Sequence, residues 1–320
     1  MLHRRWLTVL LLVSLSFAAL PAFAQDDANT CDAVLLVDGW VRATPPGAPT
    51  GAAYGLLVNL GAEADTLVSA SSDVASAVEL HEMVMAEGDV MQMRPLADGI
   101  TVPPGDFVAL QPGGLHIMLI DLQRPLVAGE SVDFVLTFAQ HGEVALTLPV
   151  RDPDAMDAAM MATEEPMMAA APSVAAPEGC AGVHFVGAWA RPAVPGMPNS
   201  AAYGLVLNLG ETPERITSGT TDAAEALELH EMVMAEGDVM RMRPLADGIP
   251  LPPGGFALLQ PGGLHVMLIG LTGAMEAGDT LDVTLELEQA GPVELAIPVV
   301  DPEAMRVDMM ATDEPPMHGG

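Results

Sequence analysis

Residues Glu79–Ile100 and Glu228–Ile249 of this 320-residue chain differ at one position, Gln92 against Arg241, and Leu110–His116 recurs unchanged as Leu259–His265. Each matched residue is displaced by 149 positions. A repeat unit of about 120 residues is long enough to bury its own hydrophobic core, so the chain is read as one domain written twice. The repeats occupy residues 31–151 and 180–300. Residues 152–179 between them are rich in Met, Pro, Ala and acids and have no aromatic residue, a composition that reads as a flexible linker. Residues 301–320 are its counterpart, Asp301-Pro-Glu-Ala-Met305 against Asp152-Pro-Asp-Ala-Met156, and form a Met-rich tail.

Inside each repeat, short apolar runs alternate with Gly, Pro, Asn and Asp at intervals of about ten residues, which predicts an all-β sandwich. In the first repeat the expected strands are Tyr54–Asn59, Val78–Met85, Val90–Arg94, Phe107–Leu110, His116–Leu122, Ser131–Gln140 and Glu143–Val150. No long helical periodicity competes, although Met156–Met161 after Asp152-Pro153 has the length of a short helix. The aromatic residues Trp40, Tyr54, Trp189 and Tyr203 are assigned to the core.

The first 24 residues carry a basic start (Arg4, Arg5), an apolar stretch from Leu7 to Leu20, and Ala22 and Ala24 before Gln25. This is the pattern of a secretory signal, and the mature chain is expected to begin near Gln25, outside the cytoplasm. Cys31 lacks the small-residue context of a bacterial lipoprotein cysteine, so lipid anchoring is not expected. No later segment reaches the roughly eighteen apolar residues of a membrane-spanning helix. With 43 acidic residues against 11 basic ones the formal charge is −32, which repels phosphate backbones and argues against nucleic acid as a partner. No nucleophile with a base, no paired catalytic carboxylates and no open redox site emerges, so an enzyme is not expected.

The duplicated unit contains the pattern His-x11-Met-x22-His-x-Met, as His81, Met93, His116 and Met118 and again as His230, Met242, His265 and Met267. Only these four of the eight histidines have a histidine at the matching position of the other repeat. Two imidazoles and two thioethers form a neutral, soft donor set that suits Cu(I) among biological metals. Outside the cytoplasm a free thiol drifts to disulfide, whereas a thioether does not. Strand geometry brings the donors together. Alternation puts His81, Met83 and Met85 on one face, and likewise Met91 with Met93 and His116 with Met118. A three-residue turn at Glu87-Gly88-Asp89 sets Met83 opposite Met93, Met85 opposite Met91, and His81 diagonal to Met93. Met83, Met85 and Met91 are also open to a packing or contact role, and one of them is an alternative to Met93 as donor.

On these residues the chain resembles a tandem copy of the PCuAC family of extracytoplasmic copper chaperones. The features that carry the resemblance are Trp40-Val-Arg42 and Trp189-Ala-Arg191, Ala-Ala-Tyr54 and Ala-Ala-Tyr203, and Leu80-His81 through Met93-Arg-Pro95 with its copy. Pro-Gly-Gly-Leu-His116-Ile-Met118 and its copy complete the set. The resemblance covers both repeats nearly entire. It implies a cupredoxin-like Greek-key sandwich with one Cu(I) per domain on His81, Met93, His116 and Met118, and on His230, Met242, His265 and Met267. It further implies delivery of copper to the dinuclear copper site of cytochrome c oxidase, through an oxidase subunit or its assembly factors. Most relatives resemble a single repeat. Some relatives carry Met- and His-rich C-terminal extensions that bind further copper, which points to auxiliary donors at Met305, Met309, Met310, Met317 and His318, with Met156, Met160, Met161, Met167 and Met168 in the linker, while a disordered tail without a copper role fits the composition equally. Met83 and Met232 are auxiliary candidates by their place beside the motif.

Three readings compete with the chaperone: copper scavenging, storage or resistance; a blue-copper electron carrier; and a structural sandwich. A blue-copper site needs a thiolate beside two histidines, and neither cysteine lies near the motif. Cys31 and Cys180 occupy matched positions. A disulfide joining the domains, two free thiols and a pair linking two chains are all compatible with the sequence, and a Cα separation of about 4.4 to 6.8 Å is what a bridge requires.

Overall fold

The computed structural model describes residues 31–86, 90–152, 176–177, 179–193, 196–235 and 239–302. Strand β9 (Ser131–Phe138) shows how the sequence makes this fold. Val132, Phe134, Leu136 and Phe138 turn inward and are buried, while Ser131 and Asp133 face solvent. That is the period-two pattern of a strand with one covered face.

Among the described residues the first half forms ten strands. β1 (Val34–Arg42), β2 (Thr50–Asn59), β4 (Ala75–Ala86), β5 (Val90–Pro95) and β8 (His116–Leu122) lie in the order β5-β4-β8-β2-β1, with β7 (Asp106–Leu110) also on β2. The other layer is β10 (Gly142–Arg151), β9, β3 (Asp65–Ser71) and β6 (Ile100–Val102), in that order. The layers meet where β1 and β10 pair in parallel at Val41 with Val150 and Arg42 with Arg151. Their inner faces bury Val41, Leu57, Leu67, Ile117, Leu119, Phe134 and Leu136. The second half repeats the plan from β11 (Val183–Ala190) and β12 (Ser200–Asn208) through β14 (Ala224–Ala235), β15 (Val239–Pro244), β17 (Phe256–Leu259) and β18 (His265–Leu271) to β20 (Gly291–Pro298). The all-β tandem organisation expected from the sequence is the one the chain forms.

Each expected strand is present, with ends shifted by a few residues. β1, β3 and β6 were not expected. β3 escapes a period-two test because its register shifts between Leu67 and Ser69, which breaks the alternation. β6 has three residues and owes its existence to pairing with β3. Trp40, Tyr54 and Tyr203 are buried as expected, whereas Trp189 is only half-buried. The short helix considered at Met156–Met161, the expected signal segment and the Met-rich tail beyond residue 302 lie outside the described residues, as does the turn Glu87–Asp89.

The two halves share a third apolar layer. Val37 and Val58 with Leu35 pack with Val186, Leu205, Leu207 and Leu209, and Phe107 and Phe256 close the rim. Cys31 and Cys180 are joined in a disulfide inside this layer, with Cα atoms 4.7 Å apart. Of the three cysteine arrangements compatible with the sequence, the bridge between halves is the one formed. The Gly187 N–H donates to the Gly105 carbonyl across the same contact at 2.9 Å. Strand β12 is buried at each of its nine positions: Ala202 and Val206 face its own core, Leu205 and Leu207 face the neighbouring half, and Tyr203 rests on Trp189 and His265. Each fully buried leucine of the shared layer contributes about 2 kcal/mol relative to exposure.

Candidate metal centre

Two pieces of backbone position the donors. β4 and β5 pair antiparallel from His81↔Pro95 through Met83↔Met93 and Met85↔Met91 to Ala86↔Val90, the register expected from the sequence. This places Met93 on the same face as His81, one step along the ladder. The second piece is the sharp connection from β7 to β8. β7 pairs with the C-terminal half of β2 and β8 with its N-terminal half, so the chain must turn within a few residues. The Gln111 N–H donates to the Leu115 carbonyl and the Gly114 N–H to the Gln111 carbonyl, and Gly113 takes φ +79°, a left-handed conformation open to glycine at little cost. His116 emerges as the first residue of β8, directly opposite His81. Met118, two residues on, shares its face.

The imidazole rings of His81 and His116 stand edge to face with centroids 5.7 Å apart, and those of His230 and His265 do the same at 5.8 Å. All four are buried, His81 9% and His116 4% exposed. Met83, Met93, His116 and Met118 line one open groove of about 560 Å³ together with Arg42, Thr44, Tyr54 and Asp152. Met93 and Met242 are exposed at 43% and 47%, and Met118 and Met267 are half-buried. In the first half Met93, His116 and Met118 thus share a groove, with His81 ring to ring against His116; in the second half His230 stands against His265, with Met242 one ladder step from His230 and Met267 on the strand of His265. Met232 pairs with Met242 as Met83 does with Met93. Met305, Met309, Met310, Met317 and His318, like the linker methionines, lie outside the described residues.

Hydrogen bonding assigns the ring protons. His81 Nε2–H donates to the Glu79 carboxylate at 2.8 Å, and His230 Nε2–H to Glu228 at 2.8 Å. A carboxylate acceptor fixes the proton on Nε2, so Nδ1 carries the lone pair. His116 Nδ1–H donates to the Gly114 carbonyl and His265 Nδ1–H to that of Gly263, both at 3.0 Å, leaving the lone pair on Nε2. Nδ1 of His81, Nδ1 of His230 and Nε2 of His265 are buried with no protein partner. Buried nitrogens are rarely left unpaired, so these lone pairs fit an electrophile supplied from outside the chain. Burial depresses the pKa of His116, the charge of His81 lowers it further, and the Gly114 carbonyl offsets part of the shift; His265 follows the same logic with His230 and Gly263. Both imidazoles are thus held neutral, the form that binds metal.

Sequence reasoning missed several parts of this site. Glu79 and Glu228 orient the first histidine of each pair; the sequence shows only that each stands two residues before its histidine on the same strand face, which does not by itself mark a contact. Tyr54, assigned to the core, is buried but also sits between Trp40 (centroids 4.8 Å) and His116 (6.4 Å), and Tyr203 does the same beside Trp189 and His265. Burial raises the pKa of both tyrosines, with Arg42 and Arg191 respectively opposing it. Among the described residues no group of three or more His, Cys, Asp or Glu is placed to hold a metal ion.

The chain is similar to several known proteins. The family model described as "Putative lipoprotein LpqE-like" matches residues 34–150 and again 183–299. A protein of Leifsonia xyli subsp. xyli named "Putative lipoprotein Lxx21020" is 36% identical over 133 residues, covering 42% of this chain and 78% of that protein. Among solved structures, one described as "Copper-bound PCuAC domain from PmoF2" is 25% identical, covers 38% of this chain and 93% of its own, and has a TM-score of 0.32. The Cu(I) form of DR1885 from Deinococcus radiodurans is 28% identical, covers 41% and 86%, and has a TM-score of 0.34. With its unit matched twice in tandem, the chain belongs to the LpqE-like family.

Proposed function

We propose that the protein is an extracytoplasmic copper chaperone that holds one Cu(I) in each half and releases it by ligand exchange. The ligands are His81 Nδ1, His116 Nε2, Met93 and Met118 in the first half, and His230 Nδ1, His265 Nε2, Met242 and Met267 in the second. The observation that carries the reading is the pair of buried, partnerless imidazole nitrogens in the second half, beneath a methionine at the solvent edge. Two neutral nitrogens and two thioethers match a soft monovalent ion. They leave the site with only the charge of the ion, so the metal is held without the attraction of a thiolate cage. The exposed methionine is the donor that an acceptor displaces first. The acceptor proposed from the PCuAC resemblance is the dinuclear copper site of cytochrome c oxidase, reached through an oxidase subunit or an assembly factor. Placement outside the cytoplasm agrees with the leader-like first 24 residues, with the lipoprotein names of the relatives, and with a disulfide, which oxidising compartments sustain. Among the described residues no helix is long and apolar enough to cross a membrane.

A blue-copper electron carrier is disfavoured by a specific observation: both cysteines of the chain are bonded to each other in the layer between the halves, so neither offers a thiolate to the histidine pair. Nor is the Cys31 sulfur free to carry a lipid. The test is an anaerobic Cu(I) titration of the oxidised protein against a chromophoric chelator. Two tight equivalents per chain are expected, and a His81→Ala, His230→Ala double variant should lose them. Unchanged affinity in that variant would remove the chaperone reading.

A further inference from the structure

The β4–β5 ladder carries more thioethers than one copper ion needs. Beyond the Met83↔Met93 pair, nearest the histidines, lies Met85↔Met91, so four methionines run in a double row along one face from His81 toward the end of the ladder. Met85 is 62% exposed and Met91 45%. The second half has the same register, Met232↔Met242 and then Met234↔Met240, with Met240 exposed at 45%.

Packing does not account for the outer pair, because Met85 and Met91 are exposed, as is Met240 in the second half. An exposed apolar row on an edge strand also invites unwanted association, which makes it a feature to be explained. The duplication supplies a second, independent observation. Core residues have drifted between the halves: Phe134, 2% exposed, corresponds to Val283, and Phe138 to Leu287. The exposed ladder has not drifted on this face. Its one difference, Gln92 against Arg241, falls on the opposite face, beside the Glu82–Arg94 and Glu231–Arg243 ion pairs. A surface preserved where the core was free to change is constrained by something outside the chain.

We propose that Met83, Met85 and Met91 form a second, outer Cu(I) site in the first half, through which the ion enters and leaves the histidine site, and that the second half, where the same register recurs, carries its counterpart. This rests on the copper reading above. Three thioethers give a soft, neutral and weakly held site, since methionine sulfur is polarisable and its side chain flexible. Met83 lies between the two centres: it faces Met93 across the ladder and shares a strand face with both His81 and Met85. Copper can therefore pass from sulfur to sulfur with no charged intermediate ligand and no change of oxidation state.

The experiment is a titration of the full-length, disulfide-bonded protein, labelled with 13C at the methionine methyls, with Cu(I) supplied as its acetonitrile complex under anaerobic conditions with ascorbate. The methyls of Met93, Met118, Met242 and Met267 should shift during the first two equivalents, and those of Met83, Met85 and Met91 with their copies on further addition. A variant carrying Met85→Leu, Met91→Leu, Met234→Leu and Met240→Leu, changes at the ladder face that leave the inner donors in place, should complete the first step as before and lose the later one at Met83 and Met232. If the methyls of Met85 and Met91 stay fixed to saturation while those of Met93 and Met118 move, the outer site is refuted and the inner site stands. If the methyls of Met93 and Met118 do not move either, the copper reading itself falls and the outer site with it.

Discussion

Replacing Glu79 by alanine isolates what the carboxylate does for the histidine beneath it. The Glu79 carboxylate accepts from His81 Nε2–H at 2.8 Å, which fixes the tautomer and aims Nδ1 into the site. Loss of such a carboxylate–histidine contact costs about 10- to 100-fold in metal affinity. Because the Glu79 side chain is 47% exposed, solvent screens part of the interaction and the lower end applies, about tenfold or about 1.4 kcal/mol. Glu79→Gln keeps an oxygen that can accept the proton but loses the charge; a neutral hydrogen bond has about half the strength, so the expected loss is about threefold. Glu82→Ala serves as the control. Glu82 adjoins His81 in sequence and removes the same charge, but it faces the other side of the strand and pairs with Arg94. The assay is Cu(I) competition against a chromophoric chelator in a His230→Ala, His265→Ala background, so that only the first half reports. The expected order of affinity is wild type equal to Glu82→Ala, then Glu79→Gln, then Glu79→Ala. Equal losses for Glu79→Ala and Glu82→Ala would mean that net charge and not ring orientation sets affinity, and the reasoning would be refuted.

The remaining expectations concern stability. The Cys31–Cys180 bridge closes a loop of 149 residues, so a Cys31→Ser, Cys180→Ser variant should lose up to about 5 kcal/mol in chemical denaturation; an unchanged midpoint would show that the shared layer alone fixes the halves. Gly187 holds φ +56°, and an added Cβ would overlap the Asp106 carboxylate of the other half. Gly187→Ala should therefore destabilise by about 1 to 3 kcal/mol in urea titration, and a neutral result would deny that contact. His141 Nδ1–H donates to the buried Asp65 at 2.7 Å. Burial pushes the Asp65 pKa up, but its bonds from His141 and from the backbone of Gln140, Thr66 and His141 outweigh this and leave it depressed. Burial lowers the His141 pKa, but Asp65 and Asp32 more than offset it and leave it raised. A raised histidine stabilises fully below its unfolded pKa and loses that contribution as pH rises through the folded value; a depressed carboxylate stabilises above its unfolded pKa and loses it as pH falls through the folded value. The pair is thus at full strength between about pH 4 and about pH 6.5. Thermal denaturation of wild type should show a decline above that window that His141→Ala lacks, and parallel profiles would contradict the assignment.

The ladder that carries the candidate site was legible in the sequence because two independent constraints coincide there. Period-two alternation fixes which residues share a face, a three-residue spacing between Ala86 and Val90 fixes the register, and the duplicated copy marks which histidines matter. The layer between the halves was not legible, for a physical reason. Alternation detects one covered face by contrast with an exposed one, and β12 offers no contrast, since its run Ala-Ala-Tyr-Gly-Leu-Val-Leu is buried throughout. Such a run states that both faces are covered without stating by what. The matched cysteines narrowed the answer to three arrangements, and only the 4.7 Å between their Cα atoms selects one. The same logic explains why Glu79 escaped notice. A half-exposed glutamate on a strand is ordinary in an acidic chain, and what distinguishes this one is the ring nitrogen at 2.8 Å, a consequence of His81 being pressed against His116 by the pairing of two strands that lie far apart in sequence. Residues that bind can be found from their own chemistry, whereas residues that orient them act through distance and become visible only once the fold has set that distance.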